Sequence, residues 1–365
     1  MTYTIAGEKM QKKVMINGAA GRIGRAVTYE IMKARKLGEG MLEPAVLNDI
    51  VGIDGIVASL SGNDSVHGKF DWNIAKVDDF TIEIDGLRAR VYSGVDIKTI
   101  PFADLGVDIV EECTGRYGDD KKNPGIRKSE DFLYAGAKKV VQSYLAKRSS
   151  DVVLVMGANH EIYNPEKHHI ISNGSCTTKA IAAPLRVLLD EGINIAGLYM
   201  STVHAATVSQ KTLKVLSGVY THTTGAAQAT SILFPQLEGR MDGMSYRVPI
   251  LDGSIAEVNM VAWYKGQLTA ESINEAMLKA ESNPAYAGRI STLKSNDEGE
   301  IQVKEDIVGR TENGLVILDE TRAMPIEGAS SEKGNLYFIK LLSGYDNERG
   351  PPKDQVKLTE YIAQF

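Results

Sequence analysis

The residue of this sequence best placed for chemistry is a cysteine at the predicted start of a helix. Cys176 lies in the segment Ser-Asn-Gly-Ser-Cys-Thr-Thr, and the residues that follow it have a helical pattern. The unpaired amides and the positive dipole end of a helix N-terminus favour thiolate over thiol, so they lower the pKa of a cysteine there. The position therefore predicts a nucleophile for acyl chemistry, with a small buried side chain as the alternative.

A histidine at the end of a predicted strand offers a base for this thiol. His204 closes the apolar run 198–204. An imidazole within hydrogen-bond reach withdraws the thiol proton and later handles the proton of an oxygen intermediate. We predict that Cys176 and His204 form the catalytic pair. A structural histidine is one alternative, and a cysteine hydrolase using the same pair is another.

A glycine turn between a strand and a helix predicts a dinucleotide site. The apolar run 14–17 ends in a Gly-x-x-Gly-x-x-Gly turn, and a second extended run ends in Asn48 and Asp49. Amides of such a turn bind pyrophosphate, whereas a carboxylate after the second strand accepts from ribose hydroxyls and repels a 2′-phosphate. The cofactor is therefore expected to be NAD rather than NADP. The predicted cofactor-binding residues are Gly18, Gly21, Arg22, Ile23, Gly24 and Asp49.

Length and composition indicate a two-domain globular protein. With 365 residues the chain exceeds the size at which a single core stops growing. A net charge of -6 argues against a general nucleic-acid binder, so an anionic substrate must be held locally. Cys113 and Cys176 are too few for a disulfide framework or a zinc site, and no segment has the apolar length of a membrane span. We expect a cytoplasmic protein without a metal, nucleic-acid or membrane partner.

The remaining patterns predict two different domain folds. Strand and helix patterns alternate through the first half, which predicts a mostly parallel α/β domain of the Rossmann type. The second half predicts an α+β domain built on a mostly antiparallel sheet, with a helix at 270–282. Residues 1–12 are expected to form an extension and residues 358–365 a helical tail. The predicted strands are 80–84, 89–92, 108–112, 139–142, 152–156, 194–208, 245–252, 256–264, 314–319 and 335–343.

Several motifs, in order along the chain, resemble the signature segments of the glyceraldehyde-3-phosphate dehydrogenase family. They cover nearly the whole sequence, and the Ser-Cys-Thr-Thr motif is the most specific of them. The segments are 13–24, 48–49, 64–68, 112–115, 175–178, 202–205, 224–227, 246–249 and 345–348.

The resemblance implies an NAD-binding domain formed by 13–174 and 348–365, and a catalytic domain formed by 175–347. It also implies a homotetramer. The implied reaction is the phosphorylating oxidation of glyceraldehyde 3-phosphate to 1,3-bisphosphoglycerate with NAD. A thiohemiacetal and then a thioester would form on Cys176, with His204 moving the protons, and inorganic phosphate would release the product.

The same resemblance implies roles for further residues. Thr207, Ser209 and Arg247 correspond to the substrate-phosphate side of the site, and Asn347 to the residue that holds the nicotinamide carboxamide. The residues implied for the attacking phosphate are Ser175, Thr177, Thr224 and Gly225. Thr114 and Gly115 are expected beside the cofactor. Capping and turn formation are the alternative roles of the threonines.

Four departures from the family pattern leave alternatives open. The glycine turn carries one extra residue, and Lys179 and Ala180 replace an asparagine and a cysteine after the Ser-Cys-Thr-Thr motif. The loop 211–223 is short, which makes a dimer an alternative assembly, and Arg349 and Pro351 replace aromatic residues near Asn347. The alternatives are another aldehyde, such as erythrose 4-phosphate or a semialdehyde, released by phosphate or water, or a nucleotide-binding paralogue that acts through a partner.

Overall fold

The computed structural model describes residues 11–118, 128–206 and 218–365. The chain divides into two compact units. The first unit contains the chain up to Leu154 together with Glu161–Gly174 and Pro352–Phe365, and the second contains Val155–His160 and Ser175–Pro351. The predicted extension lies outside the described residues except for its last two residues, and Lys12 already belongs to the first strand.

Two short segments cluster with a different unit from the one predicted. Residues 155–160 and 348–351 were assigned to the first domain from the sequence, but they belong to the second unit. Arg186 donates to the carbonyl of Ala158 at 3.3 Å, and Lys179 donates to the carbonyl of Pro351 at 3.4 Å. Both donors lie on one helix of the second unit, so these contacts hold the two segments there.

The first unit is built on a mostly parallel sheet. Among the described residues this sheet has nine strands in the order β10-β11-β9-β8-β1-β2-β7-β6-β5, and only β5, β6 and β7 pair antiparallel. A separate pair is formed by β3 and β4. The bounds are β1 Lys12–Asn17, β2 Leu42–Asn48, β3 Asn63–Asp64, β4 Gly68–Lys69, β5 Ile74–Asp78, β6 Thr81–Ile84, β7 Leu87–Tyr92, β8 Val107–Glu112, β9 Lys139–Gln142, β10 Val152–Val153 and β11 Ile170–Ser172.

The second unit is built on a mostly antiparallel sheet. Its strand order, for the part of the chain that the structure describes, is β13-β14-β12-β15-β19-β17-β16, with β18 also paired to β19. Two neighbouring pairs are parallel, β12 with β14 and β16 with β17. The bounds are β12 Asn194–Ala205, β13 Tyr220–Thr223, β14 Met241–Val248, β15 Ser254–Tyr264, β16 Ile290–Leu293, β17 Gly314–Ile317, β18 Arg322–Ser331 and β19 Gly334–Tyr345.

Helices connect and cover these strands. The α-helices are α1 Arg22–Lys36, α2 Gly52–Ser61, α3 Phe102–Leu105, α4 Glu130–Tyr134, α5 Cys176–Asp190, α6 Gly225–Leu233, α7 Ala270–Glu281 and α8 Gly350–Ile362. Short 3-10 or π turns lie at Ile97–Thr99, His160–Ile162, Pro235–Leu237, Pro284–Tyr286, Val303–Ile307 and Leu318–Glu320. None of the described helices is long and apolar enough to cross a membrane.

The Rossmann-type prediction for the first unit is confirmed by its sheet. The strands β2, β1 and β8 lie side by side and parallel, so their carboxyl ends meet at one edge. Met15, Val46 and Val110 from these strands are fully buried in a core that also contains Phe102 and Phe132. This core fixes the strands that end in Asn17, Asn48 and Glu112.

The α+β prediction for the second unit is also confirmed. Buried residues alternate with half-buried ones along β15, as expected for a sheet with one covered face. Helix α5 is buried along most of its length and packs against β12, β15, β17 and β19. Cys176 therefore begins a helix that lies on the sheet containing His204.

Some element bounds differ from the prediction. The predicted strand 152–156 ends at Val153, because the backbone then turns and the side chain of Asn159 accepts from the amide of Val155 at 3.0 Å. The described part of the predicted strand 194–208 ends at Ala205. The C-terminal helix begins at Gly350 rather than at 358. Pro351 and Pro352 fit its first turn, where no amide donor is required.

Candidate active site

Cys176 is the first residue of α5, as the sequence predicted. The side chain of Ser175 caps this helix, because its hydroxyl accepts from the amide of Thr178 at 3.2 Å. The cap leaves other first-turn amides without partners within the helix, beside the half-buried thiol. The sulfur therefore lies in the field that stabilises a thiolate.

His204 is oriented toward this sulfur. Its Nε2 lies 3.3 Å from the Sγ of Cys176, and its Nδ1 lies 2.7 Å from the carbonyl oxygen of Ala205. A carbonyl can only accept, so Nδ1 carries a proton and the neutral ring presents Nε2 as an acceptor. The ring is buried, and the tautomer that can take the thiol proton is set by the backbone of its own strand.

The charges around Cys176 favour its thiolate form. Burial by itself raises the pKa of the thiol, but the charge and hydrogen bond of His204 and the charge of Arg247 outweigh it, and the pKa falls to about 7. In contrast, burial and two neighbouring carboxylates raise the pKa of Cys113. Cys176 is thus the cysteine suited to act as a nucleophile at neutral pH.

A buried tyrosine that the sequence interpretation did not single out joins the two halves of this pair. The hydroxyl of Tyr345 bonds to Thr177 at 2.8 Å and to Thr202 at 2.9 Å. Its ring makes an edge contact with the ring of His204, with centroids 6.0 Å apart. Thr177 follows Cys176 in α5, and Thr202 precedes His204 in β12. Tyr345 therefore ties the helix that carries the thiol to the strand that carries the base.

We expect Tyr345→Phe to weaken the positioning of Cys176 relative to His204. The change leaves two buried threonine hydroxyls short of a partner, which costs about 1–3 kcal/mol of folding stability. It should also slow the alkylation of Cys176 at pH 7 several-fold. The matched control is Tyr337→Phe at the other end of β19, where the hydroxyl also makes two hydrogen bonds, to Leu268 and Gly266. If both variants slow alkylation equally, Tyr345 has no specific positioning role.

Arg247 brings a positive charge to the same place. It lies directly beside His204 in the parallel pair of β12 and β14, and its Nη1 donates to the carbonyl of Ala205 at 3.3 Å. Its Nε is buried and has no hydrogen-bond partner within the described residues. Burial lowers the pKa of this guanidinium, which the negative charge of Cys176 opposes. A guanidinium with an unused buried donor is suited to bind an anion.

The other predicted phosphate residues are partly explained by structure. Ser175 and Thr224 cap α5 and α6, and Thr177 bonds to Tyr345. Gly225 begins α6. Thr207 and Ser209 lie outside the described residues, as does most of the short loop. The phosphate roles of these residues stay predictions.

The glycine turn has the shape of a dinucleotide cradle. Gly18 has a φ of 85°, and a Cβ there would lie 2.8 Å from the Cγ2 of Thr114. A Cβ at Gly24 would lie 2.0 Å from the carbonyl oxygen of Gly18. The turn leads into α1, which has no side-chain cap. The first amides of α1 have no acceptor within the helix, so the glycine turn and the start of α1 fit the pyrophosphate of NAD.

We expect Gly18→Ala to impair NAD binding. An alanine would be strained at this φ and would also contact Thr114, so the affinity for NAD should fall at least about tenfold. The matched control is Gly38→Ala, because Gly38 has a φ of 70° but open space around its Cβ position. Titration calorimetry checks both variants. Equal NAD affinity in the two would show that the cradle shape is not required.

The remaining predicted cofactor residues have defined environments. The carboxylate of Asp49 accepts from the amide of Ala20 at 2.9 Å, so it supports the glycine turn and keeps lone pairs for ribose hydroxyls. Thr114 and Gly115 form the turn after β8, where the backbone amides of both donate to Glu112. In the second unit, the side-chain carbonyl of Asn347 accepts from Ser254 at 3.0 Å. Its predicted contact with nicotinamide stays a prediction.

Together these features define a class of protein. A Rossmann-type unit with a pyrophosphate cradle and a second unit with an activated thiol are typical of a dinucleotide-dependent oxidoreductase with a cysteine nucleophile.

Comparison with known proteins gives the family. Residues 12–120 match the glyceraldehyde 3-phosphate dehydrogenase NAD binding domain, and residues 175–347 match its C-terminal domain. The chain is 34% identical to glyceraldehyde-3-phosphate dehydrogenase of Geobacillus stearothermophilus, over 97% of this chain and 99% of that protein. It is 34% identical to the Streptomyces coelicolor enzyme of that name, with the same coverage, and 33% identical to the Chlamydia pneumoniae enzyme, over 96% and 98%.

The chain therefore belongs to the glyceraldehyde 3-phosphate dehydrogenase family. It is an NAD-dependent oxidoreductase that acts on an aldehyde group, of the phosphorylating type. The predicted family and cofactor are confirmed.

Proposed function

We propose that this protein oxidises glyceraldehyde 3-phosphate to 1,3-bisphosphoglycerate with NAD and inorganic phosphate. The observation that carries the proposal is the Cys176–His204 pair, with 3.3 Å between Sγ and Nε2. The relatives that share this substrate in their names match the chain over nearly its full length. Cys176 is then the catalytic cysteine.

The first step starts from an ion pair between the thiolate of Cys176 and protonated His204. His204 holds the thiol proton on Nε2, and the thiolate of Cys176 attacks the aldehyde carbon. A carbon–sulfur bond forms, the carbonyl electrons move to oxygen, and the imidazolium gives its proton to that oxygen. The product is a thiohemiacetal on Cys176 with a neutral histidine.

The second step converts the thiohemiacetal to a thioester. Bound NAD supplies the acceptor for the hydride that leaves the thiohemiacetal carbon. As the hydride leaves, the Nε2 of His204 takes the hydroxyl proton and the carbonyl re-forms. Because Nδ1 stays hydrogen-bonded to Ala205, the ring keeps its orientation in both protonation states.

The third step releases the product. An oxygen of inorganic phosphate attacks the thioester carbon, the carbon–sulfur bond breaks, and the acyl phosphate leaves. The departing thiolate is stabilised by protonated His204, by Arg247 and by the N-terminus of α5. The ion pair is thereby restored for the next turnover.

We assign the anion sites as follows. Arg247, whose buried Nε has no hydrogen-bond partner among the described residues, binds the phosphate of the substrate. Thr207 and Ser209 are proposed on the same side. The helix caps at Ser175 and Thr224 face the attacking phosphate with the adjacent residues Thr177 and Gly225.

We propose a homo-oligomer, with a tetramer as the expected assembly and a dimer as the alternative. Within the described residues, Tyr199 and Val203 are 43% and 44% exposed on one face of the second-unit sheet, and Val203 pairs directly with Ile255. Exposed aromatic and aliphatic side chains on a sheet face are typical of a subunit interface. Light scattering should give two or four times the 39.7 kDa of one chain, and a mass of one chain would contradict the proposal.

We also propose a cytoplasmic location. Both cysteines are free thiols, and the mechanism requires Cys176 to stay reduced. A reducing compartment preserves it in that state.

The test is a spectrophotometric assay that crosses several aldehydes with NAD or NADP, with and without phosphate. We expect NADH formation with glyceraldehyde 3-phosphate that depends on phosphate. A higher kcat/KM with erythrose 4-phosphate or a semialdehyde would identify that aldehyde as the substrate instead. Cleavage of the thioester by water alone would contradict the proposed attack by phosphate. Binding of NAD without turnover would favour the nucleotide-binding paralogue.

A further inference from the structure

A buried carboxylate lies between the two turns that form the cofactor side of the first unit. Glu112 is the last residue of β8 and is 0% exposed. Its Oε1 accepts from the amide of Thr114 at 2.9 Å, from the hydroxyl of the same residue and from the amide of Gly115 at 3.1 Å. One oxygen therefore closes the whole turn that follows β8.

The other oxygen of Glu112 begins a chain of hydrogen bonds across the sheet edge. Oε2 accepts from the side-chain amide of Asn17, which is also buried. The Oδ1 of Asn17 then accepts from the Nδ2 of Asn48 at 2.6 Å. These three residues end the adjacent parallel strands β8, β1 and β2.

The direction of this chain is fixed by its carboxylate. Burial raises the pKa of Glu112, and the hydrogen bonds that its carboxylate accepts from Thr114, Asn17 and Gly115 oppose this rise. In its ionised form the carboxylate only accepts, so the atom of Asn17 beside it is the nitrogen. The oxygen of Asn17 then faces Asn48, whose nitrogen must donate. The polarity of both amides therefore follows from the negative charge of the ionised Glu112.

The two turns also contact each other directly. The amide of Gly18 donates to the carbonyl of Asn48 at 2.8 Å, and the Cβ position of Gly18 points at the Cγ2 of Thr114. A shift of the Thr114 turn would therefore alter the space available to the glycine turn. Glu112 acts on this contact from one side through Thr114 and from the other through Asn17 and Asn48.

We propose that Glu112 is a positioning residue for NAD, which holds the Thr114–Gly115 turn and the glycine turn in the binding conformation before NAD arrives. Fixed hydrogen bonds lower the ordering cost of binding, so their loss should appear in affinity. The proposal does not depend on which aldehyde is oxidised, because it concerns only the cofactor side.

The test begins with Glu112→Gln. The nitrogen of the new side-chain amide faces the side-chain nitrogen of Asn17, and two donors cannot form a hydrogen bond. Either the hydrogen bond between positions 112 and 17 is lost, or the side-chain amide of Asn17 flips and its hydrogen bond with Asn48 is lost. We expect the Kd for NAD, measured by calorimetry, to rise about tenfold. The KM for NAD should rise in parallel, while kcat at saturating NAD stays within about twofold. Without NAD, the amides of Thr114 and Gly115 should exchange their hydrogens faster.

A compensating change tests the polarity of the chain. In the double variant Asn17→Asp with Glu112→Gln, the new carboxylate at position 17 can accept from both position 112 and Asn48. The net charge of the protein is unchanged. We expect the NAD affinity to return to within about threefold of the wild type. A purely structural loss of packing would not be restored in this way.

The matched control is Glu111→Gln. Glu111 is adjacent in β8, equally buried, and bonds instead to the side chain of Gln355 at 2.6 Å. Asn48→Ala is a milder variant, because it removes only the half-buried end of the hydrogen-bond chain. It should raise the Kd for NAD about threefold even if Glu112→Gln does not fold. An unchanged Kd in Glu112→Gln or Asn48→Ala, an equal rise in Glu111→Gln, or no recovery in the double variant would each overturn the proposal.

Discussion

Replacing Cys176 with alanine is expected to abolish aldehyde oxidation while NAD binding persists. The variant lacks the sulfur on which the thiohemiacetal and thioester form, so kcat should fall by at least about 10⁴-fold. The nucleotide cradle lies in the first unit and does not involve this residue. The Kd for NAD should therefore stay within about twofold of the wild type. Stopped-flow NADH formation and calorimetry measure the two quantities.

Cys113→Ala is the matched control for this experiment. It removes the other free thiol, whose pKa is raised by burial and whose sulfur lies 3.9 Å from the side chain of Gln355. We expect it to retain turnover and to be alkylated once, at Cys176. Undiminished turnover in Cys176→Ala would refute the covalent mechanism.

Replacing His204 with asparagine should give the second largest loss. The variant lacks the base at both proton transfers, so we expect kcat to fall about 10²- to 10⁴-fold. It also loses the charge and hydrogen bond that lower the pKa of Cys176 to about 7. In the wild type the thiolate predominates above this pH, and alkylation slows as pH falls through it.

The pH dependence of alkylation isolates this effect from turnover. Iodoacetamide should modify wild-type Cys176 with a midpoint at about pH 7. In His204→Asn the midpoint should move up toward about 8.5, which makes alkylation at pH 7 about 15-fold slower. His169→Asn, at an exposed histidine of the first unit, should behave as the wild type. Equal midpoints in the wild type and His204→Asn would leave thiol activation to Arg247 and α5.

The fold could be predicted largely from local patterns. The glycine turn and the alternation of strands and helices identify the parallel sheet because each signal is confined to a few neighbouring residues. Strands with weak patterns were missed. Strand β18 has mostly exposed residues, including a proline, and it forms only by pairing with the edge of β19. Its existence depends on a partner strand rather than on its own sequence.

The site could be predicted only in part, for a similar reason. Cys176 and His204 are visible because each residue type has a distinctive chemistry beside a helix start or a strand end. Tyr345 and Glu112 act through contacts with residues more than ninety positions away in the chain, or with buried amides, and no spacing rule reveals them. A buried polar residue at the end of an apolar strand is the signal that could have found both.

The departure at Lys179 has a structural explanation. The side chain is 1% exposed, and its Nζ donates to the carbonyl of Pro351, so it does not face solvent. The charges that lower the pKa of Cys176 come from His204 and Arg247.

The thioester on Cys176 can be tested by measuring the mass of the enzyme after one turnover without phosphate. The wild type is mixed with NAD and glyceraldehyde 3-phosphate, quenched in acid and digested. We predict an acyl group on the peptide that contains Cys176, in proportion to the NADH formed, and its disappearance when phosphate is added before the quench. NADH formed in stoichiometric amount while Cys176 remains unmodified would contradict the thioester mechanism.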